Sequence, residues 1–121
     1  MTPTNRSTAL DIVLEYHRAW TSGHVDQAMT FISEDFECKA PSGPLGKQAF
    51  REYLERFVPN LTGVADVARF VEGGHVALIY YPQTTVTNTT PATEYFTVRD
   101  GRIVESLLMF DRLSYAPPNQ E

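Results

Sequence analysis

The sequence has 121 residues, 42% of them hydrophobic and 21% charged, with a formal net charge of -5. That is one domain's worth of chain, able to bury about two-thirds of its unfolded surface without disulfide staples. It excludes a membrane-spanning helix, which needs roughly 18 apolar residues in a row, and the ten Lys and Arg are scattered rather than gathered into the basic stripe a nucleic-acid partner would want.

The opening MTPTNRSTAL lacks the apolar core of a secretion signal, so a cytoplasmic protein is expected. Thr8 with Asp11 has the spacing of a capping box, and Gly23 suits the residue just past a helix, which predicts a helix over 8–22. Ala9, Val13, Tyr16 and Trp20 form its apolar stripe, with His17 beside it. A second helix is predicted over 25–33, with Val25, Ala28, Met29 and Ile32 on one face. Phe36 to Ala40 follows as a short strand, ended by Pro41 and a Ser42-Gly43-Pro44 loop.

From Gly46 a third helix is predicted to run to Val58, carrying Phe50, Tyr53, Leu54 and Phe57 at helical spacing, with Pro59 to stop it. Val64 to Glu72 and His75 to Val86 read as strands around a Gly73-Gly74 turn, and Pro82 asks for a bulge or an edge. After a polar loop over 88–93, the stretch EYFTVRDGRIVESLLMFD is a hairpin, because Asp100-Gly101 tolerates the positive φ angles of a two-residue turn. Residues 113–121 read as a loose tail.

The order helix, helix, short strand, helix, four long strands predicts an α+β fold: a curved antiparallel sheet with three N-terminal helices on its concave face, enclosing a cone-shaped cavity. The segments YHRAWTSGHVDQAM, FISEDFECKAPSGPLGKQAF and EYFTVRDGRIVESLLMFD resemble the SnoaL-like branch of the nuclear transport factor 2-like superfamily over about residues 8–112. Distant similarity to ketosteroid isomerases places their donor tyrosine on Tyr16 and their protonated acid on Glu94. The chain departs at their base, which falls on Ala40, and the acid-bearing stretch of SnoaL-like cyclases falls on Ser106, Leu107 and Leu108. The fold hosts isomerases, cyclases and non-enzymatic binding proteins alike.

Strand alternation puts Val104, Ser106, Leu108 and Phe110 toward the cavity and Glu105, Leu107, Met109 and Asp111 away; a bulge near Met109 would instead turn Asp111 inward. Trp20, Tyr53, Leu78, Tyr80, Thr84, Ser106, Leu108 and Phe110 are the expected lining. Glu94 reads either as a strand-end carboxylate in water or as a buried acid with a raised pKa. Cys38 reads as a small buried hydrophobe, and His17, His24 and His75 share no ligand spacing, so neither metal nor another cofactor is expected. Two functions are compatible with this. One is binding of a hydrophobic small molecule, with Glu94 and Tyr16 moving a proton on a carbonyl-bearing substrate; the other is a non-catalytic module whose outer sheet face, with Leu107 and Met109, pairs as a homodimer.

Overall fold

The computed structural model describes residues 8–115. The segment before Thr8 and most of the expected tail lie outside the described residues. Helix α1 spans Ala9–Thr21, and its capping box forms in full: Asp11 N–H donates to Thr8 Oγ1 at 3.1 Å and Thr8 N–H donates to the Asp11 carboxylate at 3.3 Å. Two of the orphan amides of the first turn are satisfied in this way. Helix α2 is shorter than expected, Val25–Met29, because Ile32 already begins a strand. Ile32 still packs in the core, but from the sheet.

Strand β1 runs over Ile32–Ala40, twice the expected length, and turns at Pro41-Ser42 into a short strand β2, Gly43–Gly46, where a loop was expected. Helix α3 follows as Lys47–Phe57, then one 3-10 turn over Val58–Asn60 that holds Pro59. Strands β3 (Leu61–Glu72), β4 (His75–Thr84), β5 (Ala92–Arg99) and β6 (Arg102–Met109) form a meander. Asp100 and Gly101 take φ of 54° and 78°, as the tight turn between β5 and β6 requires. Gly74 is needed for a different reason: a Cβ there would stand 2.9 Å from the Val98 carbonyl oxygen, and Gly74 itself accepts a bond from Val98 N–H at 2.8 Å.

The six strands make one curved, unclosed sheet in the order β2-β1-β6-β5-β4-β3. Its neighbours are antiparallel except β1 and β6, which run parallel, so the sheet is mixed rather than wholly antiparallel. Direction at that join is set by how the meander returns to the N-terminal strand, a long-range property that no local pattern encodes. Pro82 pairs with Val64 of β3 beyond the last β4–β5 pair, Tyr80 with Ala92, so it sits where only one strand flanks it.

Helix α1 packs against β3, β4, β5 and β6, and α3 against β1 and β2. Between helices and sheet lies an aromatic core. Phe50 is almost fully buried, with ring centroids 5.1 Å from Phe36, 6.3 Å from Tyr53 and 6.4 Å from Tyr16, while Phe96 meets Tyr16 edge-on at 5.8 Å. Among the described residues no helix is long and apolar enough to cross a membrane.

Candidate functional site

The sheet places Glu94 by strand pairing. In β5 it stands opposite Leu78 of β4 and Leu108 of β6, so both lateral neighbours on its face are apolar. Tyr80, two residues along β4 on the same face, reaches over and donates its hydroxyl to Glu94 Oε1 at 2.8 Å. Glu94 is only 2% exposed. Of the two alternatives read from the sequence, the structure selects the buried acid. Burial pushes its carboxyl from 4.5 up to about 7, with the Tyr80 hydrogen bond holding it down in part.

Around this carboxyl the walls are aromatic. A cleft is lined by Tyr16 and Trp20 from α1, Phe50, Tyr53, Leu54 and Phe57 from α3, Tyr80 and Pro82 from β4, Ala92 and Glu94 from β5, and Leu108 and Phe110 at the end of β6. It holds about 400 Å³ of space, open mouth included, but only about 30 Å³ admits the centre of a water molecule. That is room for roughly two waters. The lining side chains therefore fill most of it, half-buried Tyr53 and Phe57, stacked at 6.3 Å, among them.

Tyr16 is buried, and its phenol is pushed well above its ordinary value, first by burial and then by the Glu94 charge. The Tyr80 phenol is raised for the same two reasons. Both tyrosines thus remain protonated donors at neutral pH. The indole N–H of Trp20 is buried and has no hydrogen-bond partner among the described residues. Among the described residues Glu94 is the one carboxyl in the lining, and no second acid of the isomerase type joins it there.

Seven of the expected site residues meet here: Glu94, Tyr16, Trp20, Tyr53, Tyr80, Leu108 and Phe110. Leu78, Ser106 and Thr84 do not. Leu78 is buried on the inner face but lines a groove on the far side of α1, with Leu14, His17 and Asp66. Ser106 is buried opposite Cys38 and Phe96, where Tyr16 covers Phe96. Strand alternation gave its face correctly, yet not its depth. Thr84 instead closes the next turn, accepting from Val86 and Thr87 N–H at 3.1 Å.

Val104 is also displaced, because β6 carries a bulge there and Ile103 takes the buried place. Asp111 is exposed and accepts from Leu113 N–H at 3.2 Å and Ser114 Oγ at 2.8 Å, capping a 3-10 turn over Arg112–Tyr115 where a tail was expected to begin. Cys38 is a fully buried hydrophobe whose thiol burial pushes up to about 11.

The aromatic wall from α3 was legible as a helical stripe, of which only Tyr53 was expected in the lining; Phe50, Leu54 and Phe57 line the cleft with it. His17 and Asp66 carried no signal of their own. His17 is buried, with Nε2 3.1 Å from Asp66 Oδ1, a partner 49 residues away.

A family model described as a SnoaL-like domain matches residues 13–106. The structure is similar to a crystal structure from Kribbella flavida DSM 17836, at 38% identity and a TM-score of 0.85, covering 91% of this chain and 92% of that one. It is also similar in fold to IdmH, a candidate polyketide cyclase from Streptomyces antibioticus, at 17% identity and a TM-score of 0.77 over 89% and 95% of the two chains. TerC, co-crystallised with polyporic acid, is similar at 18% identity and a TM-score of 0.73 over 90% and 95%. No curated protein matches the sequence.

Proposed function

Since the chain belongs to the SnoaL-like domain family, we propose that it is a small-molecule enzyme that takes a flat, mostly apolar, carbonyl-bearing molecule into the cleft between α1, α3 and the sheet. Glu94 exchanges a proton with that molecule. One observation carries this reading: a carboxyl buried in an apolar cleft, where desolvation raises its pKa toward neutrality, accepts a hydrogen bond from the Tyr80 hydroxyl.

A group titrating near neutrality is populated in both forms, so it can take a proton from carbon beside a carbonyl and return it to a neighbouring position. As the C–H bond breaks, its electron pair moves onto the carbonyl oxygen. Tyr16, held protonated, is the donor for that developing charge, and the unpartnered Trp20 N–H offers a second hydrogen bond to a ligand acceptor. A fold shared with a candidate polyketide cyclase and with a protein co-crystallised with polyporic acid supports this ligand class. Entry requires lining side chains to give way, since the cleft holds little more than water.

The test is solvent deuterium exchange into a panel of aromatic ketones and hydroxyquinones, followed by NMR. Exchange catalysed by the native protein should fall by about 10²–10⁴ in Glu94→Gln, the range general acid–base groups contribute. Equal rates in the two proteins would sink the assignment of Glu94.

A second reading rests on the outer sheet face. Tyr95 pairs with Leu107 there, Met109 lies next on that face of β6, and Phe70 continues the row on β3 through Ala77, with Phe70, Tyr95, Leu107 and Met109 all exposed. Contiguous exposed apolar surface of this kind wants cover, and a second copy of the same face supplies it as a homodimer. Sedimentation at micromolar concentration should give the dimer mass and Leu107→Asp the monomer; a native monomer removes this reading and leaves the first untouched.

A further inference from the structure

Against Tyr80 and Trp20 of the cleft wall, a buried histidine completes a chain of contacts that reaches the surface. Strand β3 carries a bulge at Val67: Asp66 pairs with Tyr80, but Ala68 pairs with Ile79, its immediate neighbour. The extra residue leaves Asp66 directly across from Tyr80, so the two side chains leave the sheet on one face. Asp66 is 73% exposed at its side chain, yet its Oδ1 lies 3.1 Å from Nε2 of the buried His17 ring. A carboxylate can only accept, so Nε2 carries the hydrogen and the ring is fixed in one tautomer. That ring lies 4.7 Å from the Tyr80 ring at an interplanar angle of 63°, and 5.5 Å from Trp20. Tyr80 in turn holds Glu94.

We infer that Asp66 and His17 are positioning residues for the buried acid: Asp66 orients the His17 imidazole, the imidazole fixes the Tyr80 ring, and the Tyr80 hydroxyl thereby holds Glu94 in line with the cleft. The role rests on the reading of Glu94 as the acid of the site. Its geometry, however, is independent of any substrate. Burial lowers the His17 pKa, with Asp66 offsetting this in part and Arg18 adding to it, so the imidazole is neutral at pH 7 and acts by shape and hydrogen bonding rather than charge. The charged and titratable groups around His17 are Arg18 from α1, Asp66 and Arg69 from β3, and Tyr80 from β4. Those around Glu94 are Tyr16 from α1, Cys38 from β1, Tyr53 from α3 and Tyr80 from β4.

The sign of one measurement separates positioning from charge. Removing the Asp66 charge through space would lower the Glu94 midpoint, because a nearby negative charge disfavours the carboxylate. Loosening Tyr80 would raise it, because the Tyr80 hydrogen bond is what holds it down. The experiment is a ¹³C-carboxyl NMR titration of ligand-free protein in which Glu94 is identified by its absence from Glu94→Gln. Tyr80→Phe should raise the midpoint by about one pH unit and Asp66→Asn by about half a unit, the size of one lost or weakened hydrogen bond to a charged group. The double variant should match Tyr80→Phe alone, since Asp66 acts only through Tyr80. A downward shift, no shift, or a rise in Asp66→Asn that persists in the Tyr80→Phe background overturns the proposal. Asp66 is largely exposed and asparagine keeps its shape, so the variant folds. The titration needs no turnover, and a failure of the deuterium-exchange test leaves it readable.

Discussion

Replacing Glu94 with glutamine is expected to flatten the pH dependence of stability and to leave the protein more stable than the native one at pH 8. The unfolded chain releases this proton near 4.5 and the folded protein holds it to about 7. Between those values the folded state binds more protons, so stability is complete below 4.5 and is lost as the pH rises through 7. The gap, at about 1.4 kcal/mol for each pH unit, makes the loss about 3 kcal/mol. Glutamine carries no such proton, although its buried amide N–H groups left without partners cost about 1–3 kcal/mol at every pH. His17, whose pKa burial lowers, acts in the opposite sense, losing stability as the pH falls below 6.5. That contribution is common to both proteins and cancels in their difference. Thermal melts of the two at pH 4.5, 6 and 8 should therefore converge and cross; curves that stay parallel would mean that Glu94 is not buried as a titrating acid. A residue that destabilises the fold at working pH is one the proposed proton transfer would account for.

The second large effect belongs to Phe50. Phe50→Ala should lower unfolding free energy by about 3–5 kcal/mol, the range for truncating a buried phenylalanine. It is 1% exposed and touches three rings on three elements, Phe36 of β1, Tyr16 of α1 and Tyr53 of α3. Helix α3 buries only two residues deeply, Phe50 and Leu54, so half of its anchoring goes with that ring. Phe50→Leu, which keeps most of the volume, should cost less than half as much. Urea denaturation checks both, and equal midpoints for the alanine and leucine variants would show that packing around this ring is not what holds α3.

What the sequence disclosed follows from the range of the interactions. The α1 cap and the β5–β6 turn involve residues three apart or adjacent, so Thr8 with Asp11, and Asp100 with Gly101, announced themselves. The helix stripe ending in Tyr16 and Trp20, and the inward parity of Leu108 and Phe110, were legible for the same reason. Depth was not. Ser106 and Leu78 lie on the inner face as alternation required, but Ser106 packs between Cys38 and Phe96 and Leu78 lines the groove with Leu14 and His17. The β2 strand escaped notice because Pro41, Ser42 and Pro44 punctuate the chain as a loop does, while its pairing with β1 supplies the hydrogen bonds. Glu94 could be placed on its strand but not in or out of water, because its surroundings come from β4, β6 and two helices. His17 and Asp66 are joined only by a bulge at Val67, and nothing in the residues around 67 calls for one.

The parallel pairing of β1 with β6 also bears on how the chain comes to be folded as it is made. Strand β1 finishes at Ala40, but the neighbour that completes it is Arg102–Met109, some sixty residues later. Until that segment has emerged during synthesis, β1 is paired with β2 on one side and presents an unpaired flank on the other. The meander β3–β6 can zip from turn to turn, but joining it to β1 closes a loop across most of the domain, a contact of high sequence separation and correspondingly slow to form. The growing chain can thus form the β1–β2 pair early, but the sheet is completed only when the last strand joins it, and the β1 flank stays open to wrong partners during that interval.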